Sequence, residues 1–239
     1  MNTTPSDSVT NFVVDGCGFT GDIPTEIGLM ESLQSLWLTS NRFSSAIPTS
    51  IGLLKNLKTA YFEENEFSGP IPSEFGHLSG LEQLAVWRNQ LSSSLPPQLG
   101  MCHLLETLAA GENALTGSVP PEIVGLPSLQ TLAIFDNQLS GLFPFVNASR
   151  SLDVVTFHLN NLSGTIPRNI GEFTNLEILS FGGNALMAGT LPTGKLLIIF
   201  NFTLGTTVVV LVVLHGKVLI SFCSCRAWPT DKHHRNWIL

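Results

Sequence analysis

The sequence predicts an α/β-type repeat solenoid. A parallel β-sheet should line the concave face, irregular or 3-10 segments should form the convex side, and an apolar helical segment should follow near the C-terminus. Three observations predict it. Asn41, Asn65, Asn89, Asn113 and Asn137 stand 24 residues apart, and Asn160 and Asn184 continue the series at intervals of 23 and 24. Prolines hold the same phase at 24, 48, 72, 96, 120, 144, 167 and 192. Around each Asn lies one frame, L-x-x-L-x-L-x-x-N-x-L-[ST]-G-x-I-P, complete in LQSLWLTSNRFSSAIP (33–48) and LDVVTFHLNNLSGTIP (152–167). A fixed period of this length is the signature of stacked units, none of which can bury its own apolar face.

Each position in the frame has a physical task. In L-x-x-L-x-L a short strand turns alternate residues inward, so Leu36 and Leu38, or Leu132 and Ile134, belong to the core. The slot asparagine sits where the chain leaves the strand, and its amide can satisfy backbone groups that would otherwise be buried unpaired. Ser68-Gly69, Ser140-Gly141 and Ser163-Gly164 supply a tight turn in which a Cβ would crowd. Ile-Pro starts the return leg, where proline sets φ and needs no donor. An apolar residue and usually Gly follow, as in Ile27-Gly28, Ile51-Gly52, Phe75-Gly76 and Ile170-Gly171. Moving 24 residues back from Asn41 gives an eighth copy, VTNFVVDGCGFTGDIP (9–24), with Cys17 in the Asn slot. The organisation expected is therefore residues 1–8 as an N-terminal remnant and 9–193 as eight repeats. After these come an apolar segment over 194–222 with its core at 196–214, and a short basic tail over 223–239.

These residues resemble the plant-type leucine-rich repeat, the L-x-G-x-I-P variety of receptor-like kinase ectodomains, receptor-like proteins and polygalacturonase-inhibiting proteins. The resemblance covers roughly residues 9–193. It implies a leucine-rich-repeat horseshoe that binds a protein or peptide on its concave face, with no cofactor. The chain departs from the family pattern in several places. The paired-cysteine N-terminal cap and the C-terminal cap are missing, Ser45 and Ser93 replace the turn glycine, and Ala60 and Ala110 occupy core slots, which suggests looser packing. No Gly-rich loop, HRD or DFG is found, so no kinase is expected.

Composition excludes several functions. Residues 1–194 hold 17 Asp+Glu against 6 Lys+Arg, net −11, whereas 195–239 hold 1 against 5, net +4. An acidic body lacks the basic footprint that nucleic acid requires. Cys17, Cys102, Cys223 and Cys225 do not make a disulfide framework for a chain of 239 residues. Cys17 and Cys102 fall in core-type slots and read as small buried hydrophobes. Cys-x-Cys at 223–225 followed by His233-His234 is poor zinc spacing, so no metal is expected. No residue constellation supports an enzyme, and His158 has no Ser or Cys at a suggestive position in the sequence.

The outward positions of the strands carry the candidate site, read as three columns. The first runs Trp37, Tyr61, Ala85, Ala109, Ala133, Thr156, Ser180. The second runs Thr39, Glu63, Trp87, Gly111, Phe135, His158, Gly182. The third runs Ser40, Glu64, Arg88, Glu112, Asp136, Leu159, Gly183. Eight strands about 4.8 Å apart span roughly 33 Å, room for ~10 extended peptide residues. The expected contact residues are Trp37, Tyr61, Glu63, Glu64, Trp87, Arg88, Glu112, Phe135, Asp136 and His158. Ala85, Ala109 and Ala133 would be a shallow floor walled by Trp87 and Phe135, with Glu63, Glu64, Glu112 and Asp136 along its edge for basic side chains. Exposed aromatics gathered on one face mark an interaction surface.

The last stretch has another character. LLIIFNFTLGTTVVVLVVL (196–214) contains no charge in 19 residues, the length of a membrane-spanning helix. Lys217, Arg226, Lys232 and Arg235 follow and place the tail on the cytosolic side. Cys223 and Cys225 would then be palmitoylation sites, and Asn147 and Asn161 glycosylation sites in a secreted body. The expected location is a plasma membrane with the repeats outside. No signal peptide precedes the repeats, so the N-terminus is expected to be incomplete. The alternatives are a tail-anchored protein with cytosolic repeats, and a soluble scaffold or enzyme inhibitor whose 194–239 tail is the product of a truncated or mis-spliced gene.

Overall fold

The computed structural model describes residues 9–145, 148–165, 170 and 172–184, together with the backbone of 186–187, 198–204, 207–214 and 217–224. Eight three-residue strands, Asn11–Val13, Ser35–Trp37, Thr59–Tyr61, Gln83–Ala85, Thr107–Ala109, Thr131–Ala133, Val154–Thr156 and Ile178–Ser180, form one parallel sheet in chain order. The register follows the repeat. Leu36, Ala60, Leu84, Leu108, Leu132, Val155 and Leu179 are successive partners, all buried. The next residues, Trp37 through Ser180, make the first outward column in the order expected.

Asparagine stitches turn to turn. Asn113 shows the pattern: its Oδ1 accepts the Leu91 N–H of the preceding turn at 2.9 Å, and its Nδ2 donates to Val86, Ala110 and Gly111 carbonyls at 3.0, 3.3 and 3.0 Å. Asn65, Asn89, Asn137 and Asn160 repeat it. The Ser-Gly segment does more than turn. It contributes a second parallel sheet, built from Ser68–Gly69, Gln90–Ser94, Ala114–Gly117, Gln138–Leu142, Asn161–Gly164 and Leu186–Met187. Gly69, Gly117, Gly141 and Gly164 hold left-handed φ there, and Ser45 and Ser93 are forced into the same conformation at φ 62° and 67°.

Among the described residues the convex side carries 3-10 helices, Thr25–Leu29, Thr49–Leu53, Ser73–His77 and Pro97–Met101, each preceded by a proline, and a short α-helix, Pro121–Val124. Turns approach closely here: a Cβ on Gly76 would lie 2.5 Å from the Gln98 carbonyl oxygen. Ala60 is fully buried, and in the same repeat the Phe62 ring lies 5.9 Å from Phe67 and 6.3 Å from Phe75.

Two expectations are corrected. The helix expected over 196–214 is replaced by antiparallel strands Ile198–Leu204 and Thr207–Leu214, joined by Lys217–Ser224. The run is rich in β-branched Val208, Val209, Val210, Val212 and Val213, which favour the pleated backbone. Among the described residues no helix is long and apolar enough to cross a membrane. Cys17, expected in the core, is exposed, because the outermost described turn has no neighbour over it; its thiol donates to the Asp15 carbonyl oxygen at 3.4 Å. Cys102 is buried as expected, and burial pushes its thiol up to about 11.

Candidate concave-face site

The outward side chains of the eight-stranded sheet divide into an aromatic row, a charged rim and a buried polar corner. Alternation along each strand sends column one and column two to the same face. Column three differs in kind. Ser40, Glu64, Arg88, Glu112, Asp136 and Leu159 all have φ between 50° and 56°, so they are the left-handed residues that end each strand and not members of it.

Trp37 and Tyr61 meet at one end of the row, ring centroids 5.2 Å apart and tilted by 38°. The Trp37 indole donates to Thr59 Oγ1 at 3.1 Å, and the Tyr61 hydroxyl donates to Gln83 Oε1. Both rings are thus held by the neighbouring strand while Trp37 remains 38% exposed. Burial, then the Glu63 charge, raises the Tyr61 hydroxyl above its ordinary value.

The alanine floor expected between Trp87 and Phe135 is not open. Ala85, Ala109 and Ala133 are buried, with Tyr61, Trp87 and Phe135 packed over them. Gly111 is the reason. A Cβ at that position would lie 2.7 Å from Phe135 Cε1, so only glycine lets the Phe135 ring lie flat across the turn. Small residues in column one and glycine in column two therefore roof the floor with partly exposed ring faces.

His158 extends this stack from the next turn. Its ring lies 4.9 Å from Phe135 at 6°, and its Nδ1 is 2.9 Å from Ser180 Oγ. The sequence did not suggest this partner, because the two residues align in different columns one turn apart. Ser180 is 3% and His158 7% exposed, so the pair is an internal hydrogen bond under the aromatic row. Burial lowers the imidazole to about 4, leaving it neutral over the usual range. His158 thus braces Phe135 by stacking against it.

The charged rim is largely paired within itself. Arg88 donates to Glu112 at 2.9 Å and to Glu64 at 3.2 Å, and its guanidinium lies 5.0 Å from the centre of the Trp87 ring. Burial works against its charge, but Glu112 and Glu64 more than offset that and hold the guanidinium above its ordinary value. Ser40 donates to Glu64 at 2.8 Å. Of the four acids expected to receive basic groups, Glu64 and Glu112 are therefore already paired. Asp136 is exposed and joins no ion pair among the described residues. Glu63 is half-buried; burial pushes its carboxyl up to about 7, its own backbone and Thr39 pull the other way, and Glu64 and Asp15 add repulsion. Its Oε2 has no hydrogen-bond partner.

Asn161 is exposed in the second sheet, Cys223 falls within the strand Lys217–Ser224, and Asn147 and Cys225 lie outside the described residues. His233 and His234 lie outside them too, and among the described residues no group of three or more His, Cys, Asp and Glu could hold a metal.

An asparagine-stitched parallel stack with this frame defines a leucine-rich-repeat protein. The family pattern described as Leucine Rich Repeat matches residues 32–54 and 56–78, and no curated protein matches the chain. Solved structures narrow the class. The chain is 33% identical to PEPR1, solved with AtPEP1, at a TM-score of 0.74 over 78% of this chain and 26% of that one. It is 30% identical to a TDR receptor at 0.73, over 78% and 32%. It is 34% identical to the Arabidopsis receptor kinase HAESA, solved with the peptide hormone IDA and the co-receptor SERK1, at 0.66 over 74% and 29%. The chain spans less than a third of each of these. Its repeats are thus similar to those of plant leucine-rich-repeat receptors, and two of them match the family pattern itself.

Proposed function

We propose that this chain is a non-enzymatic recognition module that takes an extended peptide or protein segment along the concave face. The observation that carries the reading is the row of partly exposed ring faces, Trp37, Tyr61, Trp87 and Phe135, each fixed by contacts that reach into neighbouring repeats. Rigid aromatics give up little conformational entropy on binding and anchor most of the energy in known interfaces. The similarity to receptors solved with peptide ligands supports the same class of partner. The reading includes no catalytic step; the Ser180–His158 pair is buried beneath the row and offers no accessible nucleophile.

The reading also tethers the module to a plasma membrane, repeats outside and tail inside. Its support is the uncharged run 196–214 and the basic residues that follow. Alkaline carbonate should leave the full chain in the membrane pellet, and its release into the wash would remove the tether from the account. For the binding surface, peptides selected from a random library against the full chain should protect the strands Ser35–Trp37 through Thr131–Ala133 from hydrogen exchange. Protection confined to the 3-10 segments of the convex side would overturn the reading.

A further inference from the structure

Glu63 is an acid of the concave face set beside the aromatic row in column two instead of on the rim. It occupies column two between Thr39 of the preceding turn and Trp87 of the next, neighbours at the spacing of adjacent strands. Tyr61, two residues earlier on the same strand, carries the ring pair with Trp37 at 5.2 Å. Thr39 hydrogen-bonds the carboxyl, while Oε2 finds no partner. The Trp37–Tyr61 ring pair beside a carboxyl whose Oε2 is buried without a hydrogen-bond partner forms the arrangement that receives an organic cation. The other charged groups facing it are Asp15 and Glu64, both acidic; Arg88, on the next turn, is paired with Glu64 and Glu112.

Resting on the concave-face reading above, we propose that Glu63, with Trp37 and Tyr61, seats a guanidinium or ammonium group of the bound segment on its ionised carboxyl. The pH dependence follows from the free state. With its carboxyl near pH 7, Glu63 is about nine-tenths ionised at pH 8 and about one-tenth at pH 6. A cation needs the ionised form, so affinity is full above pH 8 and falls about tenfold between pH 8 and pH 6. Tyr61 is held above its ordinary value and stays neutral through this window.

The test uses the full chain labelled with 13C at glutamate carboxyls, the Glu63 signal being assigned by its loss in Glu63→Gln. The probe is acetyl-arginine amide, with acetyl-citrulline amide as its uncharged counterpart. The arginine probe should shift the Glu63 signal and lower its titration midpoint, and bind about tenfold more weakly at pH 6 than at pH 8. The citrulline probe should do neither, Glu63→Gln should abolish the pH dependence, and Glu26→Gln on the convex side should preserve it. Equal affinity at pH 6 and pH 8, no shift of Glu63 at pH 8, or unchanged pH dependence in Glu63→Gln overturns the proposal. Library peptides that protect the concave strands but contain no Lys or Arg would also overturn it, while leaving the concave-face reading intact.

Discussion

Replacing Asn113 by Ala removes four hydrogen bonds, yet their loss is unequal. The Val86 carbonyl keeps Asn89 Nδ2 at 3.1 Å, the Ala110 carbonyl keeps Asn137 Nδ2 at 3.0 Å, and the Gly111 carbonyl keeps the Arg88 N–H at 3.1 Å. The Leu91 N–H loses Asn113 Oδ1, its partner at 2.9 Å. One orphaned buried donor costs about 1–3 kcal/mol, so Asn113→Ala should destabilise the fold by about 2 kcal/mol. Asn113→Asp keeps the acceptor for Leu91 but turns a carboxylate toward three carbonyl oxygens. It should cost at least as much at neutral pH and recover in acid, where protonation supplies a donor. Urea unfolding followed by circular dichroism reads both. An Asn113→Ala protein within about 0.5 kcal/mol of the parent, below the range for any orphaned donor, would refute the stitching.

Other perturbations follow from the same structure. Ser93→Gly relieves a left-handed serine at φ 67° and should raise stability by about 1 kcal/mol in the same assay. Brief alkylation at pH 8 followed by peptide mapping should modify exposed Cys17 and spare Cys102, whose thiol is buried and raised to about 11. The His158 imidazole is lowered from 6.5 to about 4 in the fold, so the unfolded chain binds the extra proton. Its contribution to stability is complete above pH 6.5 and is lost as pH falls toward 4, and urea midpoints across that window should fall less in His158→Gln than in the parent.

Spacing revealed much of this molecule, because each repeat position answers to a local rule. An asparagine at 24-residue intervals needs a turn above and below it, and Leu36 and Leu132 alternate inward on any strand. The first outward column was legible for the same reason. Side-chain direction within the site was not. The roof over Ala109 depends on Gly111 admitting the Phe135 ring from the next turn, and Arg88 spends its charge on Glu64 and Glu112, its counterparts one turn away on either side. Such contacts relate residues about 24 apart, and a column alignment places them side by side without saying which way either turns. The serine partner of His158 escaped for that reason too. The end effect at Cys17 and the strands of 198–224 escaped for another. A periodic rule assumes a neighbour on both sides, and a charge-free run satisfies helix and strand alike until its β-branched content decides.

The central claim is that the aromatic row is the binding surface, and the affinity of a library-selected peptide for Trp87→Ala tests it most directly. Trp87 packs over the alanine floor beneath Arg88, so its loss should weaken binding by about 2 kcal/mol or more, roughly thirtyfold, with the unfolding midpoint little changed. Leu53→Ser, on the exposed convex side, should bind as the parent does. Unchanged affinity in Trp87→Ala together with lost binding in Leu53→Ser would contradict the account.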